Sequence, residues 1–387
     1  LKGRKGETMK VLFIAGWFPE KGNYSGVFIK EHALAVSKFC DVAVIYGEEK
    51  KWQRKKYCFS FSIEDGLKVL RFTYREIPLL PSYSTYVKGI IRGFERFISE
   101  GFKPDIIHAN IYKTGVPAHI IKKRYGIPYV ITEHYSGYAR RTVNKKKLKM
   151  ARTGMENADL VLPVSNSLKE DIISYGIRGN FEIVPNVVSD HFYYNPEMRN
   201  KSEKKKILCV AAMHPKKNYP VLISACKIIY NIRQDWILDI VGEGEKMEEY
   251  KAMVKNLSLD KFIHFHGGKT KAEIAGMMQN SDFFVLPSRF ENLPCVLLES
   301  LCCGLPVVAT KVGGIPEIIS ETNGILVEPD NPTALADAML YMMDNADKYD
   351  REKISVEARN KYSYEAIGRQ ITSIYEEAIM LYKQKEK

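Results

Sequence analysis

PSRFENLPCVLLESLCCGLPVVATKVGGIPE, residues 287–317, decides the fold. The apolar run Phe283–Leu286 ahead of it predicts a buried strand. Pro287 ends that strand, and Ser288 to Asn292 make a turn. Pro294 suits a first helical turn, where its missing N–H costs little. The helix is expected to reach Cys303, with Gly304 as a left-handed stop. Pro306 opens the next strand, Val307 to Thr310, and Gly313-Gly314 turns the chain again. A strand, a short helix and a second buried strand in this order form the repeating unit of a parallel sheet. The amides from Leu293 to Val296 then lie at a helix N-terminus, where amides and the helix dipole favour a phosphate. Glu291 precedes that helix and Glu299 lies inside it. Carboxylates cannot hold phosphate, but they accept hydrogen bonds from hydroxyls. A ligand with hydroxyls on both sides of a diphosphate, such as a nucleotide sugar, suits the set. The alternative is dipole compensation by Glu291 and a merely exposed Glu299.

The same alternation runs outward along the chain. Lys10–Ala15 (KVLFIA) predicts a buried strand, followed by the loop Gly16–Gly26 and a helix from Val27 to Lys38. Strands are expected at 41–46, 69–74, 105–110, 129–133 and 160–164. The pattern restarts at Lys206–Ala211 (KILCVA), with further strands at 236–241, 263–266, 283–286, 307–310 and 324–327. Two doubly wound, Rossmann-like α/β domains follow, at 9–188 and 189–362, facing a central cleft. Their boundary is sought between Pro185 and Lys206, in a segment ending in the charged run NKSEKKK. Residues 363–387 predict one long helix, with apolar positions at Ile367, Ile371, Ile374, Ala378 and Leu381, packing back on the N-terminal domain.

The 387 residues exceed one ordinary core, which agrees with two domains. With 45% hydrophobic and 27% charged residues, the composition is that of a globular protein. No apolar run approaches the roughly 20 residues of a membrane span. The opening LKGRKGETMK has no apolar stretch after its basic residues, so it does not read as a secretory signal. Met9 reads as the natural start. Seven cysteines without CxxC spacing suggest buried free thiols in a reducing cytoplasm. A formal charge of +12 favours an anionic partner or solubility alone. Lys216 and Lys217, after the first strand of the second domain, can reach the same diphosphate as the 287–317 segment.

Beyond that segment, an ordered set of motifs emerges: PDIIHAN from Pro104, TEH at Thr132–His134, ADLVLPVSNS from Ala158, VPNVV from Val184, VGEGE from Val241, then ENLPCVLLE, CGLPVVA and VGGIPE. With the Glu291-x7-Glu299 pair, this order resembles family 4 of the retaining glycosyltransferases, which have the GT-B fold. The resemblance covers Met9 to about Ile379. It implies a metal-independent transferase that moves a hexose or N-acetylhexosamine from a nucleotide sugar, UDP-sugar before GDP-sugar, with no cofactor. It implies that Glu299 holds the donor's ribose hydroxyls and Glu291 those of the transferred sugar. Asn292, Leu293 and Pro294 would meet sugar and phosphates. Lys217 would stabilise the departing nucleotide. His134 would contact the sugar near the reacting carbon, and Gly26 would let backbone approach the phosphate. The catalytic set is thus His134, Lys217 and Glu291. The chain departs from the family at Ala211-Ala212-Met213, where Gly-Arg-Leu is usual. Lys216 is the substitute for the absent arginine, though a lysine lacks its fork. Ser25-Gly26 stands where many members have Gly-Gly, and Asn186 is not followed by glycine.

Some segments keep two readings. Arg140 to Arg152 is strongly basic: Arg140, Arg141, Lys145, Lys146, Lys147 and Lys149 either meet anionic lipid headgroups or form a solvated face. Ile77–Ile91 reads as core or as a wall of the acceptor site, with a hydrophobic membrane edge as the alternative. His108 reads as a packed core histidine, and His264 and His266 as structural. No metal site is expected. The acceptor is expected to be a glycan or lipid-linked sugar in surface polysaccharide or glycolipid synthesis. The enzyme is expected in the cytoplasm, on the inner face of the membrane if the basic segment binds lipid. A two-lobed nucleotide-binding or dinucleotide-dependent protein is the competing reading, against which no GxGxxG follows either opening strand. No nucleic-acid-binding motif accompanies the charge.

Overall fold

A computed structural model describes residues 8–20, 25–76, 83–199 and 202–385. Part of the first loop (21–24), the 77–82 part of Ile77–Ile91, and residues 200–201 of the charged run lie outside the described residues. The chain divides into two compact units. Unit 1 holds the chain through Val187 together with Tyr364 onward, and unit 2 is Val188–Ser363.

Unit 1 runs β1 (Lys10–Ala15), α1 (Val27–Ser37), β2 (Asp41–Glu49), β3 (Tyr57–Glu64), β4 (Leu67–Tyr74), α2 (Ser84–Ser99), β5 (Ile106–Asn110), α3 (Tyr112–Tyr125), β6 (Tyr129–Glu133), α4 (Lys145–Met155), β7 (Leu160–Pro163) and α5 (Asn166–Ser174). Its described strands form one sheet in the order β3-β4-β2-β1-β5-β6-β7. β1 pairs in parallel with β2 on one side and β5 on the other. Val11 to Ala15 are fully buried, as a central strand covered on both faces requires.

One strand departs from the expected parallel sheet. β3 pairs antiparallel with β4. Asp65 and Gly66, both at positive φ (50° and 83°), make the two-residue turn between them. Asp-Gly is a strong hairpin signal, and YCFSFSIE alternates as a half-covered edge strand does. This edge also corrects the cysteine reading, since Cys58 on β3 is exposed.

Unit 2 repeats the plan with β8 (Lys205–Val210), α6 (Tyr219–Tyr230), β9 (Trp236–Val241), α7 (Met247–Asn256), β10 (Ile263–Phe265), α8 (Lys271–Gln279), β11 (Phe283–Leu286), α9 (Cys295–Cys302), β12 (Val307–Thr310), β13 (Gly324–Val327), α10 (Pro332–Asn345) and α11 (Arg351–Tyr362). Its described strands pair in parallel in the order β10-β9-β8-β11-β12-β13. Lys205 and Lys206, the end of the charged run, belong to β8 rather than to a linker.

The last helix, α12 (Tyr364–Lys385), belongs to unit 1. Ile367, Ile371, Ile374, Tyr375 and Ala378 recur at helical spacing and are buried in one cluster with Ile29, Ala33 and Val36 of α1. Leu381 packs at the edge of that cluster. Gln370 Nε2 donates to the Ile183 carbonyl (2.9 Å), and Tyr375 shares a 2.6 Å hydrogen bond with His108 Nδ1.

Candidate functional site

Both sheets reverse their strand order beside their first strand, at β1/β5 and at β8/β11. Open α/β sheets bind ligands at the carboxyl ends of strands at such a point. In unit 2, β8 is followed by Ala211–His214 and a tight 3-10 turn, Pro215–Lys217. Asn218 then adopts a left-handed conformation (φ 57°, ψ 42°), a strain Asn tolerates, and α6 begins. β11 is followed by Pro287 and the fully buried Ser288. The Arg289 amide donates to the Lys216 carbonyl (2.8 Å), tying the two loops together.

The Lys217 ammonium is ion-paired with Glu291, and both side chains are about nine-tenths buried. Ser288 Oγ also donates to Glu291 Oε1 (2.8 Å). Two elements hold Glu291 in place. Thr310 Oγ1 donates to the Ser288 carbonyl (2.5 Å). Gly313, at φ 53°, lies so close that a Cβ would stand 1.7 Å from the Glu291 carbonyl oxygen. The Gly314 amide donates to the Asn292 carbonyl (2.8 Å). The Gly-Gly turn of VGGIPE therefore acts by clamping the Glu291-Asn292 backbone.

α9 opens after Pro294, with no side-chain cap and no acidic residue in its first turn. Leu293 and Pro294 are buried beneath its start, while Asn292 and Glu299 are half-buried. Unit 2 thus brings Lys216, Lys217, Glu291, Asn292, Leu293 and Pro294 to one end of its sheet, with Glu299 one turn into α9. Sequence reasoning missed Ser288, Arg289 and Asp330. Arg289 Nε (2.7 Å) and Asn218 Nδ2 (3.0 Å) both donate to Asp330 Oδ1. A guanidinium therefore stands in the loop beside Lys216. The string SRF, immediately before ENLP, carried that signal.

Gly26 and His134 lie in unit 1. Gly26 has φ 84°, and a Cβ there would stand 2.5 Å from the Trp17 carbonyl carbon and oxygen. Glycine is needed because the loop closes on its own backbone at the head of α1. His134 is half-buried just after β6, its ring 4.3 Å from Phe28 and 5.6 Å from His32. Desolvation, then the neighbouring His32 and His108, hold its pKa well below the ordinary value. His134 is a neutral ring near pH 7.

Glu133, which sequence reasoning passed over, builds that corner. Its carboxylate accepts from the amides of Tyr112 (2.8 Å), His134 (2.9 Å) and Tyr135 (2.8 Å). Burial raises its pKa to about 7 despite these bonds. His108 bridges Tyr375 and Thr132 Oγ1 at 2.6 Å each and is fully buried.

The structure divides the basic segment. Arg140, Lys145, Lys146 and Lys149 are exposed. Lys147 turns to the Tyr135 hydroxyl (2.6 Å), and Arg141 to Ser174 Oγ (2.7 Å). Three lysines occupy the first turn of α4, against its dipole, with the Asn144 side chain capping the Lys147 amide. His264 and His266 share Asp239 at 3.5 Å and 2.6 Å. Among the described residues, no three His, Cys, Asp or Glu side chains gather to hold a metal ion, and no helix is long and apolar enough to cross a membrane.

Residues 194–361 match the model of the glycosyl transferases group 1, and residues 27–192 that of Glycosyltransferase Family 4. An uncharacterized glycosyltransferase of Methanocaldococcus jannaschii is 28% identical over 72% of this chain and 76% of its own. The Escherichia coli UDP-Gal:alpha-D-GlcNAc-diphosphoundecaprenol alpha-1,3-galactosyltransferase is 28% identical over 63% of this chain and 67% of its own. Among solved structures, Anabaena HepE in complex with UDP-glucose superimposes with a TM-score of 0.74 at 19% identity, over 95% of this chain and 99% of that one.

Proposed function

The chain belongs to family 4 of the glycosyltransferases and has the GT-B fold, and from that membership we propose that it transfers a hexose or N-acetylhexosamine from a UDP-sugar to a glycan or lipid-linked acceptor. In this reading the anomeric configuration is retained, no metal ion is needed, and the product enters surface polysaccharide or glycolipid synthesis in the cytoplasm. The similar HepE structure holds UDP-glucose, and the similar Escherichia coli enzyme acts on a diphosphoundecaprenol acceptor; both support the reading.

The observation that carries it is the Lys217–Glu291 pair with Ser288, beside a helix start that lacks an acidic residue. A buried ion pair is costly unless something further is gained. A donor supplies that gain. Its diphosphate takes the ammonium, and its sugar hydroxyls take the carboxylate. Lys217 then faces the charge that develops as the nucleotide leaves, where a preorganised cation is most effective. Glu291 orients the transferred sugar, and Glu299 the ribose. Asn292, Leu293 and Pro294 frame the sugar and phosphates, with Lys216 as a second positive charge. On unit 1, His134 and Gly26 keep the roles that the family implies, toward sugar and phosphate. A neutral His134 suits a hydrogen bond to a sugar hydroxyl.

The exposed lysines of α4 and Arg140 support peripheral association with an anionic membrane, in which Lys147 and Arg141 act only after leaving their present partners. The test of the donor assignment is thermal-shift screening of the whole chain against UDP, GDP, ADP and their sugars. Uridine compounds are expected to raise the melting temperature by mass action. A shift with GDP-sugars alone overturns the UDP assignment, and no shift with any nucleotide overturns the donor site.

A further inference from the structure

We propose that unit 1 carries a seat for a phosphorylated acceptor, in which the Lys113 ammonium takes the phosphate and Trp17 offers its ring face to the adjoining sugar. The proposal rests on the glycosyl-transfer reading above and names the acceptor's chemistry.

Place is the first argument. Trp17 is the second residue after β1, and Lys113 the third after β5. These are the two strands between which the sheet of unit 1 reverses its order, the crevice where open α/β sheets take ligands. Chemistry is the second. Lys113 is half-buried, and among the described residues no carboxylate stands within ion-pair distance of it. Its Nζ lies 5.6 Å from the Trp17 ring centroid and 5.7 Å from that of Tyr86. The Tyr83 hydroxyl donates to the Lys113 carbonyl (2.7 Å), which fixes the backbone rather than the charge. Burial alone pulls the Lys113 pKa down to about 8. Cation–π contacts offset only part of the cost of burying an ammonium. A methionine would fill the same space without that cost. A cation with no carboxylate in reach among the described residues, beside the half-buried ring of Trp17, matches a phosphate joined to a sugar. A neutral glycan would leave the ammonium unmatched.

The phosphate can belong to a soluble sugar phosphate or to a lipid-linked sugar diphosphate, and the test separates them. The whole chain, with UDP present, is acylated near pH 8 with an amine-reactive acetyl ester, and Lys113 modification is followed by peptide mass spectrometry. The probes are a hexose 6-phosphate, a short-prenyl diphosphate N-acetylglucosamine, and the free hexose. A phosphate probe is expected to slow acylation of Lys113 about tenfold, as for a charge-assisted contact, while the free hexose leaves it unchanged. The stronger of the two phosphate probes identifies the source. Equal protection by the free hexose, or none by either phosphate probe, overturns the seat. In turnover assays with the protecting probe, Lys113→Met is expected to raise the acceptor KM about tenfold at unchanged kcat, and Lys113→Arg to recover part of it. An unchanged acceptor KM in Lys113→Met also overturns the seat. The labelling uses the unaltered protein, so it stands even where a variant folds poorly. Loss of the UDP thermal shift in the unaltered protein would instead overturn the donor reading, independently of what happens at Lys113.

Discussion

The two sheets reverse at equivalent places, and each furnishes that place with a lysine, but the two lysines are treated differently. At β8/β11, Lys217 is paired with Glu291 and braced by Ser288, Thr310 and the Gly313-Gly314 clamp. At β1/β5, Lys113 has aromatic rings and, among the described residues, no carboxylate in ion-pair distance. The difference teaches how each would bind in the proposed reading. The unit 2 pair is neutral as a whole and would exchange its two halves for a ligand that carries both phosphate and hydroxyls. Lys113, without a carboxylate in reach among the described residues, would gain a counter-charge when an anion arrives. In the proposed reading one site serves a fixed donor chemistry, and the other selects what is brought to it.

The comparison breaks most readily at Lys217. Lys217→Ala is expected to lower kcat at least 100-fold, the range for loss of one preorganised charge-stabilising group. Glu299→Ala is expected to weaken donor binding, read from the UDP thermal shift. Circular dichroism should show both variants folded. Full activity in both would remove the unit 2 site and leave the lysine contrast without meaning.

A second expected effect is on stability and belongs to unit 1 alone. Burial lowers the His32 pKa from 6.5 to about 4, and lowers those of His108 and His134 as well. Groups held neutral in the fold stabilise it above the unfolded value of 6.5 and lose that contribution as pH falls toward the folded value. For His32 the full amount is about 3 kcal/mol. Glu133 acts oppositely. Its folded pKa of about 7 gives a contribution complete below 4.5 and lost as pH rises through 7. Urea unfolding at pH 7.5 and pH 5 should therefore show unit 1 losing stability on acidification, and more steeply in Glu133→Gln, where the opposing group is gone. An identical pH slope in that variant would contradict the assignment of Glu133.

The smallest effect concerns the exposed lysines. Lys149→Ala should weaken partition onto vesicles containing anionic lipid about fivefold, near 1 kcal/mol for one basic residue. Lys147→Ala should change it less, because Lys147 is held by Tyr135. Co-sedimentation that is equal with neutral and anionic vesicles would remove the membrane role from this segment.

Much of the fold was legible because its determinants are local. The buried runs KVLFIA and KKILCV, the Pro294 and Gly304 punctuation around α9, and the stripe on α12 each speak through neighbouring residues. β3 was legible too, from Asp65-Gly66 and its alternation, but a search for parallel repeats passes over an antiparallel edge. In the unit 2 site the glutamates and lysines could be named in advance. Ser288 and Arg289 sit within the same string and were read only as a turn.

By itself the sequence determined two α/β units, the family and a set of residue types suited to a nucleotide sugar, because periodicity, breakers and motif order act over a few residues. Only the tertiary structure decided that Lys217 and Glu291, 74 residues apart, form one buried pair. It also decided that Glu133 gathers three amides, that Tyr375 closes on His108 across 267 residues, and that Lys113 meets Trp17. Strand order brings such residues together, and burial then sets the strength of their charges. Neither can be read from the residues on either side.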